Sequence, residues 1–173
     1  DLLSQAEHGS DSSSILVTNS EKFAELVLKE LGDQLKSLAR NKFIIESLKN
    51  SFIIITDNLE DALDFSNEYA PEHLILQVKN YNKYKGKIEN AGSVFLGNYS
   101  PESAGDYASG TNHTLPTNGV AKSFSGVTLN SFQKSITFQE LSKKGLSSIE
   151  ETIITLAGIE GLDAHANAIK VRK

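Results

Sequence analysis

Short all-apolar runs alternate with amphipathic stretches along most of this chain. Ile15, Leu16 and Val17 make one run, Phe52, Ile53, Ile54 and Ile55 another, and residues 74–78 and 93–96 two more. Turn-forming or polar residues bound each of them, the pattern of strands buried on both faces. Between them, residues 21–38 place Phe23, Leu26, Val27, Leu31 and Leu35 on one helical face, with Asn19 or Ser20 as the N-cap. Residues 41–49 give a second helical piece, and residues 57–69 a third, carrying Leu59, Ala62, Leu63 and Phe65 and ended by Pro71. Residues 80–90 read as a further short helix. At the start, Leu2, Leu3 and Ala6 form a brief helical stripe over residues 1–8, broken by the polar run 9–14. Strands alternating with helices predict an α/β fold, a Rossmann-like, mostly parallel sheet flanked by helices with right-handed crossovers. No GxGxxG follows any strand, so the usual dinucleotide fingerprint is missing.

The pattern stops at residues 100–119, SPESAGDYASGTNHTLPTNG, where neither period runs and the chain reads as an ordered loop. Ligands of open α/β sheets bind beyond the carboxyl ends of strands, so a long polar loop after residues 93–96 is a site candidate. The plain alternative is a surface loop. Residues 120–130 are rich in Ser and Gly, residues 136–138 suggest one short strand, and Thr137 or Ser142 is placed to cap the next helix. Residues 147–159 are a strongly periodic helix, and residues 162–173 a second with a basic end. The expected division is an α/β domain over 1–127 and a small, mainly helical tail over 128–173. Such a tail is too small to bury its own apolar stripe, and must pack on the sheet domain or on another subunit.

Composition narrows the chemistry. The 173 residues are 39% hydrophobic and 23% charged, globular proportions, and the net charge of −5 argues against nucleic-acid binding. No apolar run approaches a membrane span and no signal-peptide pattern opens the chain, so a cytoplasmic protein is expected. With no cysteine, any metal must sit on nitrogen and oxygen ligands. The chain begins DLLSQAEHG inside a helical pattern and contains no methionine, which suggests a piece of a longer protein or a processed N-terminus.

Four histidines carry the candidate chemistry. Gln5 and His8, three apart on a predicted helix, leave one face and can chelate a single ion; alternatively, His8 ends a helix that favours a partly cationic ring. Glu72 and His73 adjoin at a strand entrance and could form a general acid/base pair, although neighbours on an extended chain point to opposite faces. The alternative is a polar strand entrance. Asp106 is a candidate carboxylate ligand, His113 in the same loop could orient a substrate, and His165 sits among alanines in the tail, where it could also be an exposed helix histidine. Together Gln5, His8, Asp106 and His165 make a sulfur-free, four-ligand set, the composition of a catalytic rather than a structural zinc site.

The runs DLLSQAEHG, PEHL, AGSVFLGNYSPESAGDYASGTNHTLPTNG, SFQKSITFQELSKKGL and LDAHANAI resemble the histidinol dehydrogenase family from Asp1 into the tail. The resemblance is to the C-terminal part of that family. It implies oxidation of L-histidinol to L-histidine in two NAD-dependent steps through an enzyme-held aldehyde. By motif, Gln5, His8, Asp106 and His165 match zinc ligands, and Glu72 and His73 the catalytic acid/base residues. His73 would take the alcohol proton and Glu72 would activate water; His113 and Glu160 match substrate contacts. The zinc ligands and His73 also count among the residues around the substrate. The resemblance further implies a homodimer in which His165 and Glu160 reach the partner's site, a sheet domain built from both halves of the sequence, and NAD contacts outside this chain. The chain alone is therefore expected to be inactive. Two other readings stay open, a zinc hydrolase in which Glu72 activates metal-bound water, and a non-catalytic dimerisation fragment.

Overall fold

Strands and helices alternate as the hydrophobic pattern requires in the computed structural model, which describes residues 1–172. The first of two units runs from Asp1 to Phe132. Its elements are α1 (Leu2–Ala6), β1 (Ile15–Thr18), α2 (Glu21–Leu35), α3 (Asn41–Leu48), β2 (Phe52–Ile55), α4 (Leu59–Tyr69), β3 (His73–Leu76), β4 (Ser93–Leu96) and α5 (Glu102–Tyr107). The second unit begins at Gln133 and holds α6 (Lys143–Ile159) and α7 (Asp163–Lys170); position 173, at the end of the predicted last helix, lies outside the described residues.

All strand pairing is parallel. β1 pairs with β2, Ile15 opposite Phe52, and β3 with β4, His73 opposite Ser93. Among the described residues the strands form these two separate pairs, so each strand keeps one unpaired edge. A cleft of about 1320 Å³ lies along β1 and β3, lined also by Phe23, Val27 and Leu31 of α2. The first part of the α2 apolar stripe thus faces a cleft, where Phe23 stays 48% exposed, while Leu31 and Leu35 reach the closed core. The closed core sits elsewhere: Leu3 and Ala6 of α1 meet Ile44 of α3, with Leu31, Leu35, Leu38 and Leu48 packed around them.

That core fixes α1, and hydrogen bonds fix the polar run after it. Ser14 Oγ donates to the Leu2 carbonyl, Ser47 Oγ to that of Ser12, and Asn50 Nδ2 to that of Ser10. Side chains thereby satisfy the Ser10 and Ser12 carbonyls, which no strand or helix pairs, and tie the run to α1 at Leu2. α4 starts at Asn58, whose side chain accepts from the Asp61 amide, and ends at Ala70 in the left-handed conformation. Pro71 follows directly and turns the chain into β3.

Three expectations are corrected. Residues 80–90 hold two 3-10 turns, Tyr81–Lys83 and Lys85–Lys87, because a left-handed Asn80 and a run of lysines without an apolar stripe support no longer helix. Residues 136–138 form no strand; Ile136 and Phe138 are exposed, with no neighbouring strand to pair with among the described residues. Residues 100–119 contain α5, set by packing rather than by period. Gly105 lies against Phe95 of β4, and a Cβ there would fall 2.5 Å from Phe95 Cε1 and 2.7 Å from Thr111 Oγ1. Gly105→Ala is accordingly expected to cost about 1–3 kcal/mol through overpacking. A urea unfolding midpoint equal to that of the unsubstituted protein would refute this.

In the second unit Ser142 is the cap, its Oγ accepting from the Gly145 amide at 3.1 Å. α6 begins before the predicted start because the cap, not the apolar period, sets that end. α6 and α7 meet through small residues, Ala157 and Ala166 being buried, while Leu156 and Ile159 remain exposed.

Candidate functional site

The site gathers around the entrance to β3. Two backbone bonds hold that entrance, Gly92 N–H to the Pro71 carbonyl and Ser93 N–H to the Glu72 carbonyl, each 2.9 Å. Gly92 is required by the close approach, since a Cβ would come 2.5 Å from the Glu72 carbonyl oxygen. His73 then opens β3 with its side chain 10% exposed, its ring 5.9 Å from that of Phe95.

Helix α5 brings two carboxylates to this ring. Asp106 Oδ1 lies 3.8 Å from His73 Nε2, and Glu102 Oε1 lies 3.8 Å from Nδ1. Both separations exceed a hydrogen bond, and the two ring nitrogens and Glu102 Oε1 are buried without a partner. Glu102 is the most enclosed acid of the group, 2% exposed. Composition and spacing do not single it out, although Glu102 and Asp106 are four apart, which on a helix places both on one face.

α1 and the turn after it supply the remaining donors. One ligand atom each from His8, Glu102 and Asp106 lie within 4.8 Å of one another. A smaller cavity of about 350 Å³ opens on them, lined by Ser4, Glu7, Arg40 and Tyr107 as well. Gln5, Glu72, His73 and Glu102 line the larger cleft, so Glu102 stands in the wall of both. Gln5 Oε1 is buried and without a hydrogen-bond partner.

Burial shifts the protonation of three groups here, His73, Glu72 and Glu102. It lowers the His73 pKa, against the nearby Asp106, and so favours neutral imidazole. It raises the Glu72 carboxyl above the ordinary range, partly offset by His8, and raises Glu102, helped by Asp106. A poised neutral base beside reluctant carboxyls suits proton transfer.

The sequence-predicted residues are thus partly assembled. His8, Glu72, His73 and Asp106 converge in the first unit, and Gln5 lines the cleft that Glu72 and His73 also line. His113 follows α5 on an exposed loop and lines neither cavity. Glu160, the C-cap of α6, and His165 in α7 belong to the second unit and are exposed there. The buried, unpartnered Gln5 Oε1 and the close His8 and Asp106 donors fit an oxygen/nitrogen-preferring divalent cation such as zinc.

The family model described as histidinol dehydrogenase matches residues 1–173. The chain belongs to the histidinol dehydrogenase family. A histidinol dehydrogenase of Bacteroides fragilis is 57% identical over 172 residues, covering 99% of this chain and 40% of that protein. One of Schizosaccharomyces pombe is 52% identical over 174 residues, again 99% of this chain and 40% of the relative. The crystal structure of histidinol dehydrogenase from Elizabethkingia anophelis superposes with a TM-score of 0.93 at 53% identity, over 99% of this chain and 40% of that one. The chain therefore spans about two fifths of the length of the histidinol dehydrogenases it matches, and its α/β fold is shared with them. No helix among the described residues is long and apolar enough to cross a membrane.

Proposed function

We propose that this chain carries the metal-holding and acid/base part of an enzyme that oxidises L-histidinol to L-histidine through the aldehyde, with NAD as hydride acceptor. The observation that carries the reading is a buried His73 set between carboxylates at the edge of the His8 and Asp106 donor cluster. Gln5, His8 and Asp106 would hold zinc, joined by His165 of the partner in a homodimer. When bound, the ion supplies a fixed positive charge that anchors the substrate's imidazole and amine. His73, kept neutral by burial, accepts the alcohol proton as hydride leaves the carbon for the cofactor. Glu72 takes a proton from the water that hydrates the aldehyde, before the second hydride departs. His113 and Glu160 would contact the substrate. No residue of this chain is assigned to NAD.

The reading also explains the apolar surface. Unpaired strand edges along the large cleft are consistent with a sheet completed by sequence outside this chain, and exposed Leu156 and Ile159 with a tail that docks on a partner. The complete enzyme containing these residues is expected to reduce NAD in the presence of histidinol and to contain zinc. The 173-residue chain alone is expected to show neither turnover nor tight zinc binding as a monomer. Failure of the complete enzyme to turn over histidinol would end the reading. Steady-state turnover by the isolated chain, or calorimetry showing full-affinity zinc on its monomer, would end the dependence on outside sequence and on the dimer.

A further inference from the structure

We infer that Glu102 is a positioning residue for His73, holding the imidazole with its proton on Nδ1 so that Nε2 is left as the base. The inference rests on the dehydrogenase reading for its consequence, but on geometry for its content. His73 is flanked on both nitrogens, Glu102 Oε1 at Nδ1 and Asp106 Oδ1 at Nε2, each 3.8 Å away. His8, Glu102 and Asp106 form one donor cluster. With Gln5, His8 and Asp106 holding the ion as proposed above, and Glu102 outside that set, the Nε2 side is where an anchored substrate presents its hydroxyl. A neutral imidazole carries one proton, and a base acting through Nε2 must carry it on Nδ1. Nδ1 is buried without any hydrogen-bond partner, and so is Glu102 Oε1, the acidic oxygen facing it.

Two complementary unpaired groups face one another across less than an ångström of excess separation. Leaving a buried donor and acceptor unmade is costly, whereas a small rotation of either side chain joins them. Catalytic hydrogen bonds in ligand-free proteins are commonly long and tighten when substrate binds. A third group that orients the base is the recurring logic of nucleophile and base pairs. Packing holds Glu102 in place beside the ring. It is 2% exposed, and the next turn of its helix is pressed on Phe95 at Gly105, the same ring that lies beside His73. His73 and the carboxylate that orients it are therefore registered against one aromatic side chain.

The test uses the complete enzyme that contains these residues, loaded with zinc and labelled with 15N-histidine, as wild type and as Glu102→Ala and Glu102→Gln. Wild type is expected to show His73 as the Nδ1–H tautomer. Glu102→Ala is expected to shift it toward Nε2–H and to lower kcat about 10- to 100-fold, with zinc content and histidinol KM retained. Glu102→Gln, whose amide oxygen still accepts from Nδ1–H, is expected to restore much of both. An unchanged His73 tautomer in Glu102→Ala overturns the inference, and so does loss of stoichiometric zinc, which would make Glu102 a metal ligand instead. If the wild-type enzyme fails to oxidise histidinol, the dehydrogenase reading falls, while the tautomer measurement still decides what Glu102 does.

Discussion

His73→Asn in the complete enzyme is expected to lower kcat by roughly 10²- to 10⁴-fold, the usual worth of a positioned general base. Asparagine keeps hydrogen-bonding atoms at the β3 entrance but cannot take a proton at working pH, so zinc content and fold should survive. The pH profile supplies a second readout. Burial holds the His73 pKa below its ordinary 6.5, so the neutral, proton-accepting form persists into mildly acidic solution. The acidic limb of kcat/KM should fall as pH drops through that lowered value, and the limb should vanish from the residual activity of His73→Asn. A variant retaining wild-type kcat, or the same acidic limb, would remove His73 from the chemistry. The same depression has a consequence for stability in the metal-free protein. An unfolded histidine binds its proton at the ordinary value and the folded one does not, so the contribution of His73 is present above pH 6.5 and is lost as pH falls through the lowered pKa.

Asp106→Ala is the other substitution from which a large loss is expected. It removes one donor from the His8, Glu102 and Asp106 cluster and the carboxylate nearest His73 Nε2. Zinc should be lost on dialysis and activity should fall at least a hundredfold, with partial recovery in excess zinc. Full stoichiometric zinc after dialysis, measured by elemental analysis beside the wild type, would take Asp106 out of the ligand set. His8→Ala gives an independent check from the other side of the cluster, because His8 is on the exposed turn after α1 and its loss leaves no buried void.

Much of this architecture is legible in the hydrophobic pattern. The four strands announce themselves as short apolar runs. The parallel pairing of β1 with β2 follows from the helices between them, whereas β3 and β4 pair in parallel across a connection of two 3-10 turns. The site is legible only in part. QAEH and PEHL mark Gln5, His8, Glu72 and His73 through residue type and adjacency, but their convergence is a tertiary event. α1 is set by Leu3 and Ala6 packing on Ile44, some forty positions away in sequence. Glu102 is hidden because α5 is hidden: its helix is stabilised by Gly105 nesting on Phe95, which no local period records. The apolar face of α2 is plain in the sequence, yet sequence cannot say that a cleft receives its first part and a closed core its last. The short strand expected at residues 136–138 fails for the complementary reason, since strand-forming residues need a neighbour to pair with.

The two helices that bear the donors are very short, five residues in α1 and six in α5. Helices of that length do not persist in water on backbone hydrogen bonds alone. Their persistence is borrowed from Ile44 beneath one and Phe95 beneath the other. Neither Ile44 nor Phe95 lines either cavity. A truncation at Ile44 would look, in an alignment or a genetic screen, like a harmless change of bulk outside both cavities, and would be felt first as a slackening of the ligand constellation.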